Sequence, residues 1–443
     1  MKEKLKLITE KAKRDKRLKF TSLIHHINEE NLANCYRLLK RDKASGIDNV
    51  TVEAYGENLE ANIQDLVERL KSKQYRPKPV KRVYIPKPGR PDEKRGLGLP
   101  SVEDKLVQIM VKRLLEAIFE TDFKDYSYGF RPGRNCFDAI KHLNNEIMKK
   151  PINYIAEVDI AKCFDTLSHY WLQRCLEERV SDPNLLWLVR KILRAGVIEN
   201  GQHRTSKVGT MQGGNLSPLL ANIYLHYVLD LWFEKRFKPQ AKGYVQLIRY
   251  SDDFVLCCES EHDAHAFLQQ LAGRFSEFGL SLAANKTKVI KFGRQRWKHW
   301  RRGGDKPETF NFLGFTHYCG TSRQGYFSMG HKTMKENLRY KLKDIEKWLM
   351  KIRNHLPLKQ WWPMLKAKLI GHYSYFGISG NYRCMKQFYH RVIRMVFKAI
   401  NRRSQRKSMT WEMFGRYLQW NPLPTPRIYH SLYKLSPKRG MLH

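Results

Sequence analysis

Leu247-Ile-Arg-Tyr-Ser-Asp-Asp-Phe-Val-Leu-Cys-Cys258 is the stretch around which the rest of the chain is read. Apolar runs at residues 245–248 and 254–258 flank two adjacent carboxylates. Their β-branched and aromatic residues read as strands, with Ser251-Asp252-Asp253 as the tight turn between them. Such a hairpin pushes two acids out of one end of a buried sheet. Carboxylates beside apolar strands are costly unless a cation neutralises them, and oxygen donors suit magnesium or manganese. Taken alone, Asp-Asp also fits a solvated turn; a third acid in similar company would decide for the metal.

Bulk charge points to a partner. The chain has 443 residues, 82 Lys and Arg against 43 acids, and a net charge of +39. Solubility needs far less, so a polyanion is implied, with nucleic acid ahead of a membrane surface. A hydrophobic fraction of 42% supports a substantial core, and the length suggests two or three domains. The eight cysteines show no CxxC spacing. Without a leader pattern they read as reduced thiols in a cytosol, and no apolar run approaches a membrane span.

Residues 1–40 are charged and helix-prone, an N-terminal extension rather than a domain. Residues 80–85 and 95–99 read as two strands joined by the Pro- and Gly-rich loop 86–91, a basic hairpin with Lys87 and Arg95 as phosphate donors. Ser101-Val-Glu-Asp104 reads as a helix start, and Leu106, Met110, Leu114 and Ile118 follow at four-residue spacing. Residues 154–160 read as a strand delivering Asp159 near its end. The loop 210–218 opens onto an apolar helix over 219–232. Residues 286–292 and 310–315 read as further strands.

The pattern changes after about residue 325. Residues 331–443 carry 25 Lys and Arg against 4 acids, a charge of +21 that is more than half the total. Met334, Leu338, Leu342, Ile345, Trp348 and Ile352 mark a long amphipathic helix. Trp361, Trp362, Tyr373, Tyr375, Phe376, Tyr382, Phe388 and Tyr389 are interleaved with the charge. Basic residues neutralise phosphates and aromatic faces stack on unpaired bases; the plain alternative is that the aromatics are the core of a helical domain.

Asp159, Asp252 and Asp253 supply the third acid. Phosphoryl transfer between nucleotides uses two divalent cations about 3.5–4 Å apart, which acids from two neighbouring strands can bridge. With these motifs in this order, over residues 30–435, the chain resembles the group II intron reverse transcriptase/maturases, in the form without a C-terminal HNH nuclease. The resemblance implies an α+β right-hand polymerase fold. Fingers and palm, with an RRM-like antiparallel sheet and helices, would occupy 41–325, and an α-helical thumb and maturase domain 326–443. Asp159, Asp252 and Asp253 match the catalytic acids, which with the Ile160 carbonyl would hold two Mg2+ (Mn2+ serving as well). Lys87, Arg95, Phe164, Gln212 and Lys286 match the dNTP-binding set, Phe164 being the aromatic that blocks a ribose 2′-hydroxyl. Phe312, Leu313 and Gly314 match the primer grip, and Arg131 and Arg134 face template or loop carbonyls. Lys366 and Lys368, and Arg402, Arg403, Arg406 and Lys407, are two candidate RNA-binding clusters.

The implied activity is RNA-directed DNA synthesis, with structured intron RNA, a DNA primer or target, and dNTPs as partners. The location would be the bacterial cytoplasm, at the nucleoid when bound to target DNA. Two departures stand out: Ser251 where the family usually has Ala, and Met211 where it has Pro. A host-adopted enzyme for DNA repair or phage defence, or a splicing-only maturase, are the alternatives.

Overall fold

The structure, a computed structural model, describes residues 2–87, 90–199, 201–204, 208–210, 213–402 and 409–432, with backbone alone at 87 and 90–92. Its strands are β1 (Val80–Lys87), β2 (Arg90–Leu99), β3 (Tyr154–Asp159), β4 (Val197–Glu199), β5 (Gln202–Arg204), β6 (Val245–Tyr250), β7 (Asp253–Cys258), β8 (Lys288–Lys291), β9 (Thr309–Phe312), β10 (Phe315–Thr321) and β11 (Phe327–Thr333). They form three sheets, ordered β2-β1-β4-β5, β6-β7-β3-β8 and β11-β10-β9. Strands and helices together make an α+β protein.

The chain divides into two compact units. The first comprises Met1–Ile85, Lys94–Ala139 and Ala156–Val289; the second comprises Pro86–Glu93, Ile140–Ile155 and Ile290–His443. The basic hairpin forms as its sequence suggests, with both strands running further into the loop than residues 85 and 95. Ser101 caps the helix Val102–Phe119 by accepting the Asp104 N–H at 3.1 Å. Leu106, Met110, Leu114 and Ile118 are all fully buried on it. The N-terminal helix Lys2–Arg14 lies against that helix. The buried Arg179 guanidinium donates to the Ala12 carbonyl at 3.0 Å and the Lys16 carbonyl at 2.7 Å, fastening the start of the chain to this unit.

The apolar helix expected over 219–232 starts at Ser217 and is regular only to Leu225. It continues through two wide π-helical turns, His226–Asp230 and Phe233–Phe237. Such turns are rare and cluster at functional sites. The first of them places Asp230, fully buried, against Arg249 of β6.

The last and longest stretch of the second unit begins at Ile290, well before the change in composition near residue 325. Its sheet β9–β11 belongs with the C-terminal helices because Asn381 joins them: its Oδ1 accepts the Thr333 N–H at 2.8 Å and its Nδ2 donates to Thr333 Oγ1 at 2.9 Å. Helices Lys335–Ile352, Leu358–Phe376, Tyr382–Asn401 and Trp411–Trp420 complete it. Trp361, Trp362, Tyr373, Phe376 and Phe388 are buried. Most of the C-terminal aromatics are therefore core, while Tyr375 and Tyr382 stay exposed.

Candidate active site

β6 and β7 pair with Tyr250 opposite Asp253, so Ser251 and Asp252 alone make the turn. So short a turn forces a left-handed residue, and Ser251 takes it, with φ 61. β7 lies between two strands, and Phe254 to Cys258 are all buried, which is why the run reads as unbroken apolar sequence. β3 is its neighbour and ends at Asp159. Three acids thus stand at the ends of adjacent strands.

Burial pushes the Asp252 carboxyl above its ordinary range; Asp159 adds to the push and Arg95 works against it. Lys286 supplies the other neutralising charge, its ammonium paired directly with Asp159. Beyond Asp159 the backbone bonds to the segment 281–283, Ala161 N to Ser281 O and Ala283 N to Asp159 O, both donating at 2.8–2.9 Å. Ile160 is the unbonded residue of that ladder, so its own carbonyl points away from 282.

Among the described residues, no three His, Cys, Asp or Glu side chains are gathered as metal ligands. In this arrangement the cation beside Asp159 is Lys286. The donor set of carboxylates and one backbone carbonyl still has the all-oxygen chemistry that a hard divalent ion takes.

Phe164 lies on the short helix Cys163–Thr166, entered through the left-handed Lys162, φ 48. Its carbonyl accepts the Thr210 N–H at 2.6 Å, and Gly209 N donates to Leu167 O at 2.7 Å. The loop that precedes Gln212 is thereby zipped to the segment after Asp159. Gly213, with φ 102, passes so close to β2 that a Cβ there would sit 2.8 Å from the Gly98 carbonyl. Arg95 is exposed at the outer part of β2. Gln212, Met211 and the Lys87 side chain lie outside the described residues.

Arg131 goes to loop carbonyls. It is 6% exposed, binds Glu120 through Nε and Nη2, and donates to the carbonyls of Lys124 and Ser127, each at 2.6 Å. With its guanidinium used inside the protein it is not available to template. Arg134 is more open, donating to Asp125 and stacking over Tyr128.

In the second unit, Leu313 and Gly314 form the two-residue turn between β9 and β10, with φ 50 and 80. Phe312 is buried; the Tyr375 hydroxyl donates to Leu313 O at 3.1 Å and Met334 N to Gly314 O at 3.1 Å. Lys368 is paired with Asp344 at 3.8 Å and covers Trp348, whereas Lys366 is partly exposed. Arg402 is exposed at the end of its helix; Arg403, Arg406 and Lys407 lie outside the described residues.

Sequence reading passed over Arg249, though it stands inside the opening stretch. Arg249 and Asp230 are both fully buried and joined by two bonds, 2.9 Å from Nε and 2.5 Å from Nη2. Burial alone would raise Asp230, but Arg249 and His226 outweigh it and hold the carboxyl below its ordinary range. The signal was present in the sequence: an arginine between Ile248 and Tyr250, and an aspartate within an apolar helix, each demand a partner.

Comparison with known proteins gives the family. Residues 85–317 match the reverse transcriptase (RNA-dependent DNA polymerase) family, and the chain belongs to it. Within that family its relatives include group II intron proteins. It is 34% identical over 265 residues to the group II intron-encoded protein LtrA of Lactococcus lactis subsp. cremoris, covering 58% of this chain and 43% of that protein. It is 32% identical over 312 residues to protein YkfC of Escherichia coli (strain K12), covering 63% of this chain and 81% of YkfC. A 91 kDa protein in the cob intron of Schizosaccharomyces pombe is 38% identical over 172 residues, 39% of this chain and 21% of that one. The chain spans less than half the length of the Lactococcus relative it matches. No helix of the described residues is long and apolar enough to cross a membrane.

Proposed function

We propose that the chain is an RNA-directed DNA polymerase of the group II intron type, acting on an RNA template with a DNA primer and dNTPs. The observation that carries this reading is the position of Asp159, at the end of β3, on the strand next to the turn into β7 that carries Asp252 and Asp253. These carboxylates and the Ile160 carbonyl would hold two Mg2+, which when bound activate the primer 3′-hydroxyl and neutralise the leaving pyrophosphate. Lys286 moves from Asp159 to the triphosphate or the leaving group as substrate arrives. Phe164 closes the space beside the sugar, Lys87 and Arg95 grip the phosphates, and Gln212 lines the base side.

The first unit supplies fingers, in β2-β1-β4-β5, and an RRM-like palm, in β6-β7-β3-β8. The second supplies primer grip, thumb and the maturase surface that binds intron RNA and assists splicing. Helix Tyr382–Asn401 supports that last role. Arg383, Lys386, Arg391, Arg394 and Lys398 are exposed along it, it contains no acid, and none of the five has an acidic partner among the described residues. Cations that lack carboxylates are available to phosphates.

The test is extension of oligo(dT) on poly(rA) with dTTP and Mg2+ by the purified protein and by Asp252→Asn. Extension by the wild type and none by the variant is expected. An inert wild type, or an active variant, overturns the reading.

A further inference from the structure

Arg249 is the centre of a buried polar assembly that none of the proposed catalytic roles uses. Besides its two bonds to Asp230, its Nη1 donates to Asn222 Oδ1 at 3.0 Å and to the Ser251 carbonyl at 3.1 Å. The guanidinium therefore grips the strained turn residue directly, one position before Asp252. Asn222, also fully buried, uses its Nδ2 to donate to Gly129 O at 2.6 Å.

Gly129 in turn lies against the same turn. A side chain there would collide with the Ser251 backbone nitrogen, so the residue has to be glycine for the approach to occur. The segment leading to it is hydrogen-bonded along the free edge of β6: Arg249 N donates to Tyr126 O and Tyr128 N to Arg249 O, both at 2.8 Å. Arg131, buried in the same loop, fixes the curve from behind through Glu120 and the Ser127 carbonyl. The turn is thus held from below by Arg249 and from the side by the loop.

A left-handed serine persists only where its surroundings over-determine it. A buried ion pair adds little stability relative to an apolar replacement, so its use here is geometric. We propose that Arg249, Asp230 and Asn222, with the Tyr126–Arg131 loop they lock, are positioning residues that set the aim of the Asp252 carboxylate toward Asp159. The Gly129-Phe-Arg-Pro-Gly-Arg134 motif is then a brace for the catalytic turn rather than a template contact. This rests on the polymerase reading above.

Asn222→Ala is the decisive variant, because it cuts the brace and leaves the Arg249–Asp230 charge pair whole; Arg249→Lys, which keeps the charge but not the fork, is the second. Val111→Ala, in a buried position of the helix Val102–Phe119, serves as a control for destabilisation alone. Steady-state extension is measured with the rise in Tm that Mn2+ produces in the protein without substrates. Asn222→Ala is expected to lower kcat by at least about tenfold with dTTP KM within about threefold, since a displaced carboxylate misaligns chemistry more than binding. It is also expected to shrink the Mn2+ shift, while Val111→Ala lowers Tm and keeps both. Wild-type kcat and Mn2+ shift in Asn222→Ala and Arg249→Lys, or losses no larger than those of Val111→Ala, would overturn the proposal. If the wild type itself extends nothing, the polymerase reading falls, and the Mn2+ shift alone still decides whether the brace aims the carboxylate.

Discussion

The Thr210 N–H donates to the Phe164 carbonyl at 2.6 Å, tying the proposed sugar gate to the loop that leads into the nucleotide side of the site. A ring whose backbone is fixed on one side cannot retreat from an extra hydroxyl by moving its own loop. Phe164→Val is therefore expected to admit ribonucleotides. The steric wall is worth about 2–3 kcal/mol by comparison with other steric and polar rejections, or roughly 30- to 150-fold in the ratio of kcat/KM values. Single-nucleotide insertion of dTTP against UTP measures it, and an unchanged ratio assigns the gate to another residue.

Asp252 gives a prediction in which stability and activity separate. Its carboxyl is held above the ordinary range, burial being the main cause and Asp159 the next. A carboxyl whose folded pKa is raised costs stability when ionised, and the cost is present above the folded pKa and relieved as pH falls through it. At neutral pH Asp252→Asn is therefore expected to raise the Tm of the metal-free protein. The same variant loses extension by more than about 100-fold, the scale on which even the outer partners of metal ligands act. Thermal melts without divalent ions, beside extension assays, check both halves, and a lowered Tm refutes the first.

The two strands around the acids, the basic hairpin and the helix after Ser101 were legible because each is written in local code. Alternation, a cap and a turn need no knowledge of the rest of the chain. Asp159 could be paired with the Asp252 turn because both end apolar strands. What stayed hidden depends on partners distant in sequence. Arg249 could not be matched to Asp230 without knowing that the helix after Ser217 widens into π turns. For Arg131 the sequence allows template or loop carbonyls, and only the positions of Glu120 and of the Lys124 and Ser127 carbonyls show that it is enclosed. The C-terminal aromatics read equally as stacking faces or core until packing chose core for Trp361, Trp362, Tyr373, Phe376 and Phe388.

Buried histidines make the second unit acid-sensitive. His331 is depressed to about 4 and His372 to about 3, in both cases mainly by burial. His317, fully buried against His331 with their Nδ1 atoms 2.9 Å apart, is also depressed. A histidine with a lowered folded pKa contributes stability fully above its unfolded value near 6.5 and loses it as pH falls from there toward the folded value. His331 and His372 should each cost about 1 kcal/mol by pH 5.5. His372 stacks on Phe388 at 3.7 Å, and neither of its ring nitrogens has a hydrogen-bond partner. His372→Phe is therefore expected to keep the stack, raise Tm at pH 5.5 and flatten the pH dependence between 7.5 and 5.5, the range over which melts should be recorded. Equal acid sensitivity in wild type and variant contradicts the assignment.

The exposed cations of helix Tyr382–Asn401 lead to a salt-dependence prediction. Arg391, Arg394 and Lys398 follow one another at three- and four-residue intervals, so they lie on one face, about 5–6 Å apart. Lys368, from one of the two clusters first suspected, is occupied by Asp344 and is the weaker candidate. If the helix face grips RNA through phosphates, each contact that forms releases counterions, so each one lost flattens the plot of log K against log salt by about 0.7–0.9. Changing Arg391, Arg394 and Lys398 together to Gln should reduce the slope by about 2–2.7 and weaken binding most at low salt. Lys368→Gln should change the slope little, because its charge is already neutralised. Filter binding of a folded group II intron RNA across a salt series, with primer extension on a simple template as the control for folding, separates the two. A triple variant with the wild-type slope would place the RNA on some other surface of the chain.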